Sequence, residues 1–264
     1  ARANGSHATL RFLSIDGAVS GKARLFFTSA PTLTNRLIGG WAVFETEFAS
    51  YTSGMGVGGL STAGYAGYDT AIIHNAGSTD NVRVGAVGTT TLSADRDINS
   101  LAIVVAGATT LDLGGKLLSL RSGGLIAANT TDSTAVTIQN GTITAGALNV
   151  GGDLYVHALS YNSGNDIVAR DVVISAAIAD NGTGPVSLVI DGTDGRGTGQ
   201  GRSKTLISGA NSYSGGTFIN AGRVLFNVSG ANGTTVTAAG SGNLTISGGS
   251  NVNGNNITEF TTVA

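Results

Sequence analysis

Glycine and asparagine interrupt the apolar segments of this chain at short intervals, and this spacing restricts the possible folds more than any other sequence feature. The 264 residues include 42 glycines but only two prolines. Segment 206–225 reads LISGANSYSGGTFINAGRVL, in which short apolar segments alternate with Gly, Asn and Ser. Glycine adopts positive φ without a Cβ penalty, and asparagine tolerates it better than most residues. Frequent corners between short apolar segments predict an all-β chain of many short strands.

The predicted strands begin about 8 to 12 residues apart, an interval that suits sandwiches, barrels and solenoids alike. They are 9–14, 24–28, 41–44, 70–74, 81–84, 89–93, 101–105, 109–113, 116–120, 135–138, 154–159, 172–178, 186–190, 205–207, 218–220, 224–227, 234–237 and 243–246. Segment 167–179 can be read as a helix. We interpret it as strand because Val172, Val173, Ile174 and Ile178 are β-branched.

Uniform composition and paired corner residues favour a solenoid. The residue composition hardly changes from 89 to 257, and Gly-Gly or Asn-Gly pairs recur throughout this part. These pairs are 114–115, 123–124, 140–141, 151–152, 181–182, 232–233, 248–249 and 253–254. Three strands per coil predict about 25 residues per tier and roughly ten tiers stacked about 4.8 Å apart. Asn-Gly also favours hairpins, so a sandwich stays open as an alternative.

The same stretch, 206–225, resembles the autotransporter-associated β-strand repeat, also called the passenger-associated transport repeat. Nine positions carry the resemblance: Leu206, Gly209, Asn211, Tyr213, Gly215, Thr217, Ile219, Gly222 and Leu225. Segment 39–60 resembles a stretch that recurs in large bacterial proteins bearing this repeat. The resemblance implies a single-chain right-handed parallel β-helix, exported and displayed on a bacterial surface.

The sequence predicts one continuous solenoid over 1–264 with loop insertions near its N-terminal third. Residues 1–85 are richer in aromatic side chains, whereas 86–264 form the regular repeat region. Segment 51–67 is rich in glycine and is expected to form a protruding loop. Residues 1–7 lack the apolar run of a signal peptide, which suggests a cut within a longer polypeptide. Neither terminus shows an amphipathic helix that could serve as a cap.

Composition argues against several function classes. Charged residues make up 11% of the chain and the formal net charge is −2, so no basic field attracts nucleic acid or an anionic membrane. Hydrophobic residues make up 41%, which is enough to bury a core. The absence of cysteine excludes disulfides and thiol chemistry. No apolar run reaches the roughly 20 residues of a membrane helix.

Acidic side chains offer weak candidates for catalysis or metal binding. Glu45 and Glu47 could share one strand face, as could Asp95 and Asp97, but solvated strand faces explain both pairs. Asp95, Asp97 and Asn99 match the start of an EF-hand loop. The match then fails, because Ser100 replaces its glycine and Ala106 its glutamate.

The remaining candidates are weaker still. Asp191 and Asp194 lie in a Gly-rich segment without the tandem repeats of calcium-binding β-rolls. His7, His74 and His157 have no second His or Cys at metal-ligand spacing, and His74 and His157 are expected to be surface or tier residues. Segment 192–201 lacks the lysine of a phosphate-binding loop. The sequons at Asn129 and Asn243 are expected by chance in an Asn- and Thr-rich chain.

The sequence therefore predicts a structural role without catalytic, cofactor-binding or metal-binding residues. We expect a bacterial stalk, adhesin passenger or self-assembling extracellular fibre, located at the cell surface and associated with the outer membrane. Its partners would be the same polypeptide, a head-to-tail copy or surface glycans. Two alternatives stay open: a glycan-binding or polysaccharide-degrading β-helix with its groove in 1–85, and a trimeric phage or viral fibre.

Overall fold

The computed structural model describes residues 5–13, 23–130, 134–160, 171–192, 204–226 and 239–247. These residues form an all-β structure with about 49% strand. Their only helix is a 3-10 turn at Ile73–Asn75. The strands, in chain order, are β1 (Leu10–Phe12), β2 (Ala42–Phe44), β3 (Glu47–Thr52), β4 (Gly56–Gly59), β5 (Asn81–Val84), β6 (Gly88–Thr91), β7 (Arg96–Ile98), β8 (Ser100–Val105), β9 (Thr109–Asp112), β10 (Leu117–Leu120), β11 (Gly124–Asn129), β12 (Val136–Gln139), β13 (Thr142–Ala145), β14 (Gly152–Ser160), β15 (Val172–Ile174), β16 (Ala177–Ile178), β17 (Val186–Gly192), β18 (Thr205–Ile207), β19 (Thr217–Ala221), β20 (Val224–Phe226) and β21 (Leu244–Ile246).

Three of the four sheets are entirely parallel. Their strand orders are β5-β8-β11-β14-β17-β19-β21, β6-β9-β12-β15-β18-β20 and β7-β10-β13-β16. From β5 to β15, each strand therefore pairs with the strand three positions later in the chain, whereas β17 pairs with β19 and β18 with β20. Consecutive strands from β5 onward belong to different sheets. The fourth sheet, β1-β2-β3-β4, is mixed, because β1 and β2 are parallel whereas β2, β3 and β4 run antiparallel.

One hydrophobic core takes side chains from all three parallel sheets. Register places similar aliphatic side chains on neighbouring strands of the longest sheet. One such column contains Leu101, Leu125, Val156, Ile190 and Ile219. A second column, in the shortest sheet, contains Leu118, Ile143 and Ile178. Each buried side chain of this kind contributes about 1.5 to 3 kcal/mol, so the columns are the main source of stability.

The spacing between paired residues varies more than the sequence suggested. Leu101 pairs with Leu125, Leu125 with Val156, and Val156 with Ile190, giving offsets of 24, 31 and 34 residues. The longest described sheet has seven strands, fewer than the roughly ten tiers expected from an average of about 25 residues per tier. The longer offsets accommodate extra turn residues between strands, such as the turn closed by the Ala147–Gly151 bridge.

Residues 5–13 and 23–70, here called the N-terminal layer, cover the outward face of the seven-stranded sheet. Fully buried Leu37, Phe48 and Leu60 pack in one cluster with side chains of the sheet, including Ala102 and Ile126. This layer contains most of the aromatic residues that the sequence shows before position 85. It therefore gives the sheet a second, separate hydrophobic contact.

Several predicted elements in the first hundred residues are wrong. Segment 51–67 was expected to be a loop, but β3 ends at Thr52 and β4 lies at Gly56–Gly59 as a buried antiparallel strand. Glycine is required there, because a Cβ at Gly58 would lie 2.4 Å from the Tyr65 ring. Segment 24–28 is not a strand, and 70–74 runs into the 3-10 helix. Strands β7, β11 and β13 were not predicted.

The 3-10 helix closes one end of the shared core. Ile73 is 1% exposed and, with Ala76, belongs to the core cluster. The preceding Thr70 forms a parallel bridge with Val82 on β5, the edge strand of the longest sheet. The sequence showed no cap, because a single helical turn is too short to produce an amphipathic pattern.

Candidate functional site

Two polar members of the nine-residue motif are buried at a corner of the parallel region. Asn211 is 3% exposed, and its Oδ1 accepts a hydrogen bond of 2.8 Å from the backbone N–H of Ile178. Tyr213 is fully buried, and its hydroxyl lies 2.6 Å from Thr217 Oγ1. Burial raises the pKa of Tyr213 to about 12, although the hydrogen bond with Thr217 opposes this shift. Both side chains therefore serve contacts inside the protein.

The three motif glycines lie where two backbone segments touch. A Cβ at Gly209 would lie 2.2 Å from Ala176 O, and one at Gly215 would lie 2.7 Å from the backbone of Val186. Gly222 has φ +94°, and a Cβ there would lie 2.7 Å from the Cα of Gly192. In each case the touching segment lies on or beside the neighbouring strand of the same sheet. A larger residue at any of these three glycines would therefore push the two strands apart.

The remaining motif positions follow strand alternation. Thr217 and Ile219 are buried on β19, and the Thr217 hydroxyl donates to Ala239 O at 3.0 Å. Leu206 and Leu225 are register partners on β18 and β20, and both are half-buried. The motif residues thus hold successive segments together, and none of them converges on an open site.

The two acidic pairs lie on or beside strands of the described region. Glu45 lies in the turn after β2 with φ 54°, whereas Glu47 begins β3, so the predicted shared strand face is wrong. Glu47 accepts a hydrogen bond of 2.7 Å from the Ser61 N–H. Asp97 forms an ion pair with Arg121, and Asp95 accepts a hydrogen bond of 3.0 Å from the Leu117 N–H. Glu47, Asp95 and Asp97 therefore each have a nearby donor.

The residues of the EF-hand-like pattern differ in burial, so they do not form one exposed loop. Asn99 is 1% exposed and belongs to a polar network in which it donates to Asn81 Oδ1 at 2.6 Å and accepts from Asn35 at 2.9 Å. Ser100 donates to the same Asn81 oxygen at 2.8 Å. Within the described ranges, no group of three or more His, Cys, Asp or Glu side chains could hold a metal ion. Asp194, most of 192–201 and the Thr131 of the first sequon lie outside those ranges.

Two histidines join the N-terminal layer to the seven-stranded sheet. His157 on β14 is fully buried, with Nε2 2.8 Å from Gly40 O and Nδ1 3.2 Å from Asp191 Oδ2. His7 lies 2.9 Å from Asp153 Oδ1, and its ring stacks on Phe218 at 3.6 Å between centroids. His74 lies in the 3-10 helix, so the strand expected for it is wrong. The sequence could not reveal these contacts, because the covering layer is remote along the chain.

A cavity of about 720 Å³ opens within the N-terminal layer. Its wall comes from three segments, 8–10, 27–32 and 38–41, and includes the aromatic rings of Phe27 and Trp41. The cavity lies in the 1–85 region, where the glycan-binding alternative placed its groove. It is the best candidate for a small-ligand site among the described residues.

Comparison with protein-family models, with curated proteins and with solved structures found no match. None of the helices in the described part of the chain is long and apolar enough to span a membrane.

Proposed function

We propose that this chain is a structural segment of a bacterial surface protein, built as a single-chain right-handed parallel β-helix. One observation carries the proposal: from β5 to β15 every strand pairs with the strand three positions later in the chain, in three parallel sheets. A chain that returns to the same sheet every third strand advances tier by tier. Right-handed winding follows from the strong preference of parallel crossover connections.

The shared core supports this proposal over a three-chain fibre. Leu101, Leu111 and Leu118 come from the three different sheets and belong to one cluster within a single chain. Backbone hydrogen bonds then run from tier to tier, which stiffens the molecule along that direction. Stiffness and length suit a stalk, an adhesin passenger or a self-assembling fibre at the cell surface.

The similarity of 206–225 to the autotransporter-associated repeat supports an exterior location. The nine motif residues make contacts between neighbouring segments, as a repeat that builds successive tiers requires. The proposed location is the outer surface of a bacterium. Labelling intact producing cells with an antibody to this segment tests it, and signal only after lysis would contradict it.

Self-association of the segment is part of the proposal. Ile73 covers the core at the β5 end, but the edge strand β6 is largely exposed and includes Thr89, Thr90 and Thr91. Unpaired edge groups can pair with another strand. A head-to-tail copy or a continuation of the same polypeptide would use that edge. A segment that remains monomeric at high concentration would exclude the copy.

Engineered cross-links test the tier arrangement directly, because the chain contains no cysteine. Thr110 and Thr137 are register partners on β9 and β12, and both are half-buried. Neighbouring strands lie about 4.8 Å apart, within the range that a disulfide spans. The variant carrying Thr110→Cys and Thr137→Cys should therefore form an intramolecular disulfide on mild oxidation.

The matched control is Thr110→Cys with Thr142→Cys, since Thr142 is half-buried like Thr137 but lies on β13 in a different sheet. This pair should stay reduced under the same conditions. Equal cross-linking of both pairs would contradict the pairing. Electron microscopy of the native material then tests the shape: rods or filaments are expected, and compact globules would overturn the structural role.

A further inference from the structure

The cavity in the N-terminal layer has the size of a small-ligand site. Its volume of about 720 Å³ falls within the approximately 300 to 1,000 Å³ of typical ligand pockets. Two aromatic rings line it, from Phe27 and from Trp41, the only tryptophan in the chain. Neither ring takes part in the core of the parallel sheets. The tiered scaffold therefore does not explain why these rings lie there.

The segments that form the wall are fastened to the rest of the layer. The Leu10 N–H donates to Trp41 O at 3.0 Å, and the Val57 N–H donates to Leu25 O at 2.9 Å. The Phe27 ring lies 5.9 Å from the Tyr51 ring. These contacts hold the cavity open before any ligand arrives, which lowers the ordering cost of binding.

The position of the indole depends on a glycine. A Cβ at Gly39 would lie 2.2 Å from Trp41 Nε1 and 2.6 Å from Cδ1. The indole edge therefore packs directly on the Gly39 backbone. Any larger residue at this position would displace the ring.

The described residues of the lining carry no charge. Most are apolar, and the polar ones are three hydroxyl residues, Thr9, Ser29 and Thr32. Six of the ten lining residues are exposed, so a charged ligand would lose only part of its hydration here, but it would meet no counter-charge. A sugar would bring many hydroxyl groups, yet this lining offers no amide, carboxylate or guanidinium group to pair with them. Both arguments favour an uncharged and largely apolar ligand.

We propose that this cavity binds an uncharged, ring-containing ligand whose apolar body packs on Trp41 and Phe27. Thr9 supplies the polar contact. Its Oγ1 accepts a hydrogen bond of 3.3 Å from Asn220, which leaves the hydroxyl hydrogen to donate to a ligand. A small aromatic alcohol or ketone has this chemistry. This site is independent of the proposed structural role of the chain.

Binding of 2-naphthol tests the proposal, with 2-naphthoate as the charged analogue of nearly equal shape. Titration is followed by calorimetry, because naphthol and naphthoate absorb and emit in the range of tryptophan fluorescence. The nuclear magnetic resonance signal of the indole N–H of Trp41, the only tryptophan in the chain, provides a second readout. We expect saturable 2-naphthol binding with a Kd on the order of 10 to 100 µM. Naphthoate should bind about three- to tenfold more weakly, because its carboxylate would lose part of its hydration and meet no counter-charge.

Two variants locate the binding. Ala30 lines the cavity and is exposed, so Ala30→Phe should occupy space without disturbing the core and should weaken 2-naphthol binding at least about tenfold. The control is Leu148→Ser with Val150→Ser, which removes two apolar side chains that are 64% and 72% exposed outside the lining. It should leave the Kd unchanged.

Three results would overturn the proposal. One is equal affinity for naphthol and naphthoate. Another is an unchanged Kd in Ala30→Phe together with weaker binding in the Leu148 and Val150 control, which would indicate nonspecific surface adsorption. The third is binding of cellobiose but not of 2-naphthol, which would assign the cavity to glycans.

Discussion

The N-terminal layer and the parallel region bury different kinds of side chains. Among the described residues, the core of the parallel sheets is built from Leu, Ile, Val and Ala, with Tyr213 as its one buried aromatic side chain and half-buried Phe226 packed against it. The layer instead buries Phe12, Phe44 and Phe48. Strands stacked about 4.8 Å apart place register partners directly above one another, so side chains of similar size pack best. The layer crosses the sheet face once, without a repeat, and can fill irregular space with large rings.

The largest expected difference between the two regions comes from glycine. Gly123 and Gly54 both have positive φ, at 70° and 80°. A Cβ at Gly123 would lie 1.8 Å from Asp153 O in the parallel region, whereas a Cβ at Gly54 in the layer meets no atom within 4 Å. Gly123→Ala should lower the free energy of unfolding by more than about 3 kcal/mol. Gly54→Ala should cost only about 1 kcal/mol, for its backbone conformation.

Urea unfolding of both variants measures these costs. The matched conformation of the two glycines isolates the close approach between strands as the cause of any difference. Equal losses would contradict the idea that close backbone contact between paired strands makes Gly123 necessary in the parallel region.

The sequence predicted the parallel region better than the layer. Strands such as β8, β9 and β17 begin within a residue or two of their predicted starts, because alternating aliphatic residues and Gly corners repeat along the chain. Strand β4 was missed because its sequence is Gly-Val-Gly-Gly, and glycine suggests a turn unless the partner that approaches it is known. Here that partner is Tyr65, whose contact depends on tertiary structure.

Alkaline pH should weaken both regions through one tyrosine in each. Burial raises the pKa of Tyr213 from 10.0 to about 12, and burial together with the nearby Glu47 charge raises the pKa of Tyr68. The unfolded chain loses these protons near pH 10, before the folded chain does. The free energy of unfolding should therefore be constant below pH 10 and fall as pH rises to 12, by about 2 kcal/mol for Tyr213.

Urea unfolding of Tyr213→Phe and Tyr68→Phe at pH 8 to 12 separates the two contributions. Each substitution should flatten part of the alkaline decline, and the pair should flatten more than either alone. A decline that is unchanged in both variants would show that the two phenols do not cause it.

A buried amide provides a smaller test of the parallel region. Asn211→Ala would leave the Ile178 N–H without the Oδ1 that accepts its hydrogen bond. The expected loss is about 1 to 2 kcal/mol in the free energy of unfolding. The neighbouring exposed Ser212→Ala should change it by less than about 0.5 kcal/mol. Urea unfolding measures both variants. Similar losses of unfolding free energy would mean that the hydrogen bond between Asn211 and Ile178 is not a specific contact between the two segments.

The candidate site was only partly accessible from sequence. Aromatic enrichment before position 85 pointed to the region that contains Trp41 and Phe27, but the cavity draws on segments that are up to 33 residues apart in the chain. His157 illustrates the limit. Its outward position on β14 predicts exposure, yet Gly40 and the N-terminal layer bury it completely. Strand alternation predicts which face a residue occupies, but not what covers that face.

The smallest predicted effect concerns acid stability of the parallel region. Asp180 is partly buried, which opposes ionisation, but hydrogen bonds from Ser214 and the Val186 N–H outweigh this and lower its pKa below 3.8. The folded state therefore releases this proton more readily than the unfolded state. The resulting stabilisation is present above about pH 4 and is lost as pH falls through the folded pKa.

Asp180→Asn should make the free energy of unfolding less dependent on pH below 4, by a few tenths of a kcal/mol. Ser214→Ala removes the hydroxyl donor at 2.7 Å and should shift the dependence in the same direction by less. Acid titration followed by circular dichroism measures both variants, and wild-type pH dependence in both would mean that this carboxylate does not couple the turn at 180–186 to the segment above it.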